Sequence, residues 1–379
     1  MDILIFSWRG PGHPLAGGAE QVTFEHAKGW VKAGNTVTLF TSAFKNGKSE
    51  EAIDGIRIVR RGFDVFGVHL FAFIWYLFGN HESFDLVVDQ FHGIPFFTPF
   101  YVSTKKLAFI HEVTKEVWWL NPWPKPFNLI PAVIGTIFER FIFTLLYRSV
   151  PFMTVSESTK KDLIAWKIPE KNITVIHNGF HTLKVNFSKE YKNTLIHLGA
   201  LTKDKGIEDS IEVFNLINQK YSNWQFWIVG KGEPNYLSYL KEKIKRFHME
   251  SKVKFFGYVD QKKKFELLSK SCFLINPSIR EGWGLVNIEA NSVGTPVVGY
   301  KVPGMIDSVQ DGKTGYLFAK GDISGIAEKV CDLSKDNKTY DRLSEECILW
   351  SKKFTWDKAS KMSLKLINKS IIASNYVVR

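Results

Sequence analysis

Short apolar runs, each closed by glycine, proline or a polar cluster, recur along the whole chain. The first half carries them at Ile3–Ser7, Thr36–Thr41, Phe84–Asp89 and Lys106–Glu112; the second at Thr194–Gly199, Trp224–Val229, Val253–Val259 and Cys272–Asn276. Runs of this length without strict alternation predict strands buried on both faces, as in a parallel sheet. Helical patterns fall between them: from Gln21 to about Lys32, from Ser156 as a cap through Ile164, onward from Ile207, and in a lysine-rich stretch ending near Phe247. Strand, glycine-rich turn, helix and strand follow one another from Ile3 to Thr41, a βαβ unit. Ile53–Arg61, with a turn ahead of it, and Gly315–Phe318 add further strands, and Trp350 to Ile372 reads as a final helical region. The expected class is α/β.

A chain of 379 residues suits two domains at roughly 150 residues each. The polar, basic stretch Lys184–Asn193 predicts the linker, with domains over 1–185 and 193–355. Hydrophobic residues at 45% suffice for two cores, and 23% charge excludes wholesale disorder. The net charge of +12 favours anionic partners: nucleotide phosphates, nucleic acid or an acidic membrane surface. Cys272, Cys331 and Cys347 fit neither a disulfide framework nor a metal spacing, so a cytoplasmic setting is expected. Met1–Ser7 lacks a basic leader region and reads as a first strand.

The densest candidate chemistry is Asn276-Pro277-Ser278, then Glu281-Gly282-Trp283-Gly284-Leu285, Glu289-Ala290 and Gly294-Thr295-Pro296-Val297-Val298. Gly282 and Gly284 let bare backbone N–H groups approach a ligand. They stand where a helix should begin, and a helix start is a natural phosphate site. With that start near Gly284, Glu281 lies on the loop before it and Glu289 in the second turn. Eight helical steps span ~12 Å, room for one carboxylate at each end of an extended ligand. A sugar hydroxyl and a ribose hydroxyl with a diphosphate between them would fit; two solvated glutamates are the plainer alternative. This spaced set resembles the donor-site signature of glycosyltransferase family 4. The resemblance covers nearly the full chain, most strongly from Leu195 to Phe318. It implies the GT-B fold, two Rossmann-like domains facing each other across a cleft, and a retaining transfer from a nucleotide-sugar such as UDP-glucose or GDP-mannose.

The resemblance also implies roles. Glu281 would hold the sugar hydroxyls and Glu289 the ribose, while Gly282, Trp283, Gly284 and Leu285 form the helix start at the diphosphate. Gly199, Lys205 and Gly206 match the family's phosphate loop, where Lys205 counters the diphosphate; a solvated loop lysine is the alternative. Ala200 stands where the family usually has Arg, which throws more of the charge onto Lys205 or onto another residue such as Arg280. Gly257 and Tyr258 fall where the family meets the nucleotide base, and Val302–Met305 resembles the loop closing over the donor. Gly17 and Gly18 resemble the glycine loop whose backbone meets the diphosphate and faces the acceptor. His111, at the carboxyl end of a strand, falls where the family places a His near the acceptor hydroxyl; a packed core histidine is equally open. Asn178-Gly179 matches the turn before the linker, with His181 where Asp is common. Similar transferases return their last helix to the first domain, so 356–379 is expected to pack there. With no Asp-x-Asp between strands and no His/Cys ligand set, no metal cofactor is expected.

Aromatic patches point to the acceptor. Val65–Gly79 is apolar almost all round but shorter than the ~20 residues of a membrane span. Trp118, Trp119 and Trp123, with Phe127 beside basic residues, suit a patch at headgroup depth. They predict peripheral attachment at the cytoplasmic membrane face and a lipid-linked glycan or glycolipid acceptor. Pro131 and Glu139-Arg140 argue against a span in the stretch that follows, for which a large internal core helix competes. The lysine-rich end of the chain, with Asp357 its single acid after Trp350, offers a second basic face for anionic headgroups. Three other functions stay open: a nucleotide-sugar epimerase of GT-B fold, a catalytically silent glycan-binding subunit, and a nucleic-acid-binding protein. The last is disfavoured by the lack of a basic–aromatic recognition module.

Overall fold

The computed structural model describes residues 1–64, 66–91, 93–120, 125–181 and 193–372. The chain forms two compact units, Met1–Gly179 with Thr355–Arg379, and Phe180–Phe354. Most of the expected linker, 184–192, lies outside the described residues.

Unit 1 opens with β1 (Asp2–Phe6), α1 (Gly18–Lys32) and β2 (Thr36–Thr41). β3 (Glu50–Ile53) and β4 (Ile56–Arg60) form an antiparallel hairpin. Its Asp54-Gly55 turn has positive φ at both positions, 51° and 78°, the hand that suits the twist of paired strands. The expected single strand Ile53–Arg61 is thus corrected: Ile53 ends β3, whose acidic Glu50-Glu51 start masks it in the sequence. α2 (Phe66–Phe78), β5 (Leu86–Phe91), β6 (Lys105–Ile110), α3 (Leu129–Leu146), β7 (Phe152–Thr154), α4 (Glu157–Ala165) and β8 (Ile173–Val175) follow. Ser156 caps α4 as its sequence predicts, its Oγ accepting from Thr159 N at 3.1 Å. The sheet runs β3-β4-β2-β1-β5-β6-β7-β8 and is parallel apart from β3.

Register fixes which helices share a face. Leu4 and Phe6 pair with Val87 and Asp89, and Asp89 and Phe91 with Ala108 and Ile110, so all these side chains point to one side. α2 packs there through Val68 and Ala72, and α3 through Phe143. α1 covers the other side, its His26 ring 5.6 Å from that of Phe109.

Unit 2 runs β9 (Thr194–Leu198), α5 (Ile207–Lys220), β10 (Gln225–Val229), α6 (Pro234–Arg246), β11 (Val253–Gly257), α7 (Gln261–Lys270) and β12 (Phe273–Asn276). It continues with α8 (Leu285–Ser292), β13 (Val297–Tyr300), α9 (Met305–Ser308), β14 (Gly315–Phe318), α10 (Ile323–Leu333) and α11 (Asn337–Ser351). Its sheet is wholly parallel, in the order β11-β10-β9-β12-β13-β14. That is the doubly wound order, which reverses between β9 and β12; ligands of such sheets sit at the carboxyl ends beside the reversal.

The expected helix from Trp350 is two helices. α11 ends at Ser351, Phe354 tucks against the Trp350 ring at 4.9 Å, and α12 (Trp356–Ile372) starts afresh within unit 1. α12 buries Trp356, Ala359, Ser363 and Ile367 as a helical stripe. A Cβ at Gly29 would sit 2.4 Å from Ser360 Cβ, so glycine permits the close crossing of α1 and α12. Lys358, Lys361, Lys365 and Lys369 are exposed on the opposite side of α12. They therefore lie on the α1 side of the sheet, away from α2 and α3.

Ser363 Oγ lies 2.9 Å from both His26 Nδ1 and Trp30 Nε1, and burial holds the His26 pKa down to about 4 from its ordinary 6.5. The unfolded chain then takes up a proton before the folded one, so stability is full above about pH 6.5 and drains away toward pH 4. Melting midpoints recorded from pH 7 to 4.5 should fall by several degrees, and His26→Gln should flatten part of that decline.

Candidate functional site

The site of unit 2 is built where β9 and β12 end side by side, Phe273 being in register with Leu195. After β9 the chain makes a tight turn, Lys203–Lys205, and enters α5 through Gly206 at φ 68°. A Cβ there would meet Pro277 O at 2.1 Å, so the loops leaving the two strands touch backbone to backbone. Ile279 N donates to Asp204 O at 2.8 Å across the same seam. This contact carries Lys205 to Glu281: Nζ to Oε1 is 2.9 Å.

Glu281 belongs to a buried polar chain. The Ser278 hydroxyl lies 2.8 Å from Glu281 Oε1 and 2.6 Å from Asn276 Oδ1, and its one proton serves either acceptor. Asn276 Nδ2 donates to Asn287 Oδ1 at 2.9 Å, and Asn287 Nδ2 to Ser308 Oγ at 2.8 Å. From below, Glu281 N donates to Pro303 O at 3.1 Å, while a Cβ at Gly304 would lie 2.0 Å from Glu281 O. The Val302–Met305 loop therefore seats the backbone of Glu281.

α8 begins at Leu285 behind Gly284 at φ 76°, and Glu289 is buried in its second turn. The first N–H groups of a helix lack an acceptor one turn back, and the dipole makes this end attractive to an anion. Trp283 is turned inward and buried, its ring 5.0 Å from Phe354. Glu289 Oε1 accepts from Lys264 Nζ of α7 at 2.5 Å. A Cβ at Gly199 or at Gly257 would meet nothing within 4 Å, which leaves both backbones open. Tyr258 is 74% exposed, with Lys231 Nζ 4.8 Å from its ring centre. Arg280 is buried. His197 beneath the site is held neutral, its pKa lowered to about 4 by burial and then by the Lys205 charge.

Unit 1 offers a second set. Gly17 precedes α1 and Gly18 begins it, but the Gly17 N–H already donates to Glu20 Oε2 at 2.8 Å, so the backbone donors on offer start at Gly18. His111 follows β6, is buried, and stands 3.5 Å (Nε2) from Thr23 Oγ1 with its ring 4.4 Å from Phe109. Gln90, buried at the end of β5, accepts from Ser7 Oγ at 2.5 Å while its Nε2 finds no partner. Trp118 is not an outward anchor. Its Nε1 donates to the buried Glu139 Oε2 at 2.9 Å, and its ring fills the space over Gly135. Trp119 is 49% exposed; Trp123 lies outside the described residues.

Residues 181–350 match the model of glycosyl transferases group 1, and residues 16–183 that of Glycosyltransferase Family 4. The chain belongs to glycosyltransferase family 4. N-acetyl-alpha-D-glucosaminyl L-malate synthase of Bacillus anthracis is 32% identical over 188 residues, 47% of this family-4 chain and 48% of that protein. The chain spans about half the length of the curated relatives it matches. Sucrose-phosphate synthase from Thermosynechococcus elongatus has the same fold, with a TM-score of 0.80 at 17% identity over 98% of this chain and 100% of that one. Anabaena HepE, solved with UDP and glucose, gives a TM-score of 0.74 at 18% identity over 97% and 100%. The fold is GT-B.

Several of these residues, in each unit taken by itself, carry no mark in the sequence of the family-4 chain. Asn287, between Val286 and Ile288, and Ser308, between Asp307 and Val309, become meaningful only through Asn276. Lys264 lies on α7, whose first four residues are all polar or basic. In unit 1, Gln90 carries no local signal; only the strand order brings it beside Ser7.

Because Gly304 has φ +78° and its Cβ would strike backbone, Gly304→Ala should cost about 1–3 kcal/mol in strain alone. Urea unfolding should register that loss, and nucleotide binding should weaken with it as the Glu281 loop is pushed off its seat.

Proposed function

We propose that the protein is a retaining glycosyltransferase that moves a hexose from a UDP-glucose- or GDP-mannose-type donor to a hydroxyl of a lipid-linked glycan or glycolipid at the cytoplasmic face of the membrane. The observation that carries this reading is the joining of Lys205, Glu281 and the α8 start at the β9/β12 reversal, with Glu289 one turn further on. HepE, solved with UDP and glucose on the same fold, supports a nucleotide-sugar donor.

In this reading the diphosphate lies at the N-terminus of α8, with Lys205 released from Glu281 to meet its charge. Glu281 then accepts from sugar hydroxyls, and Glu289 from the ribose. The bond from the anomeric carbon to the diphosphate oxygen breaks, an oxocarbenium-like state forms, and the acceptor oxygen bonds to the same face. The acceptor's proton leaves with the diphosphate, and His111 orients that hydroxyl. Positive charge and N–H donors fixed in place stabilise the leaving group as its charge develops, so the reading requires no metal. A screen of UDP-, GDP- and ADP-sugars should find one class turned over, and Glu281→Ala should slow that turnover ~100-fold or more. If no nucleotide-sugar is bound or consumed, the reading is wrong.

The membrane side of the proposal moves from the tryptophan cluster to α3. α3 is not the internal core helix that competes for this stretch: Ala132, Glu139 and Phe143 are its buried residues, whereas Ile130, Ile134, Ile137, Phe138, Phe141 and Leu145 are exposed along one stripe. Among the described residues it is the one helix long and apolar enough to cross a bilayer, and 17% of it is buried. Glu139 accepts from Thr114 N, Lys115 N and Trp118 Nε1, which ties the helix to its own unit. A helix held on one side and apolar on the other suits lying in the interface, with the exposed Arg140 reaching for headgroups. The exposed Phe66, Leu70, Phe73 and Leu77 of α2 extend the surface on the same side of the sheet. Replacing Ile134, Ile137, Phe138 and Phe141 by Ser should cut flotation with anionic vesicles ~10-fold or more while donor hydrolysis persists. Unchanged flotation would remove the membrane half of the proposal.

A further inference from the structure

The two acids of the site each hold a lysine, and the two pairs are not alike. Lys205 sits on a loop, 26% exposed in its side chain, 2.9 Å from Glu281. It faces the position given to the diphosphate and is expected to let go. Lys264 sits on a helix, its side chain 15% exposed against 10% for Glu289, at 2.5 Å. α7 is anchored by the buried Phe265, Leu267 and Leu268, so Lys264 approaches from a rigid base. Among the described residues it is the one side chain brought to the Glu289 carboxylate.

We infer that Lys264 is a positioning residue for nucleotide recognition, pinning Glu289 through Oε1 so that the carboxylate's remaining lone pairs face the two ribose hydroxyls. The inference rests on the reading of Glu289 given above. An enclosed carboxylate without a counter-charge is poorly solvated and free to rotate away, whereas a pinned one meets a diol without first losing side-chain freedom. Lys264 itself does not touch the nucleotide. Its removal therefore acts on ribose discrimination and leaves the diphosphate contacts in place.

The test is calorimetric titration of the full chain with UDP, GDP and ADP and with the 2′-deoxy and 3′-deoxy form of each. In the wild type the preferred diphosphate should bind ~10–100-fold more tightly than its deoxy forms, as hydrogen bonds to a charged group warrant. Lys264→Met should shrink that ratio to about 3-fold or less, and Lys264→Arg should restore it. Lys205→Met should weaken ribo and deoxy forms together and keep the ratio. The ratio is internal to each variant, so a general loss of fold or affinity does not move it. If Glu289→Gln abolishes the preference while Lys264→Met retains it, the role of Lys264 is overturned and the reading of Glu289 stands. If the wild type has no ribose preference, or Glu289→Gln keeps it, both fall.

Discussion

Everything at the site of unit 2 depends on three loops, those after β9, β12 and β13, packing with no side chain between them. Gly206 lies against Pro277 O and Gly304 against Glu281 O, and at either position a single methyl group would force the loops apart. Backbone contact of this kind is stiff, because peptide groups have no rotamers to give. It is what allows Lys205 and Glu281, seventy-six positions apart, to meet at hydrogen-bond distance. The ion pair is a result of that seam more than its cause. A partly exposed lysine–carboxylate pair contributes about 1 kcal/mol or less by itself. The asparagine and serine chain behind Glu281 adds direction, since each buried amide there is satisfied by the next.

The same logic explains why the acids need lysines. Both carboxylates are largely enclosed by unit 2, and burial without a partner penalises charge. Pairing with Lys205 and Lys264 offsets that penalty. One lysine, Lys205, comes from a loop and the other, Lys264, from a helix.

Much of this was legible in the chain. The apolar runs gave nearly every parallel strand, because strands covered on both faces need no polar alternation. Gly284 and the spacing to Glu289 located α8 to within a residue. What stayed hidden has physical reasons. The β3–β4 hairpin begins with two acids on a sheet edge, where apolar character is not required. α7 shows four polar or basic residues before Phe265, and its contribution, Lys264, acts across to α8 rather than within its own helix. α3 is apolar on both sides, so pattern alone could not say which side meets the sheet. Glu139 decides it by facing inward, contrary to the usual rule, because it satisfies the backbone of the turn at Lys115–Leu120 and the indole of Trp118. Trp118 in turn reads as an anchor only while that carboxylate is unknown.

The return of α12 to α1 has a consequence for how the protein is made. Trp30, His26 and Phe109 are covered by a helix that begins at Trp356, beyond all of unit 2. During vectorial synthesis unit 2 therefore has its whole chain outside the ribosome while unit 1 still lacks a wall, with its oily side open to solvent or to a chaperone. The half that starts first is the half that finishes last.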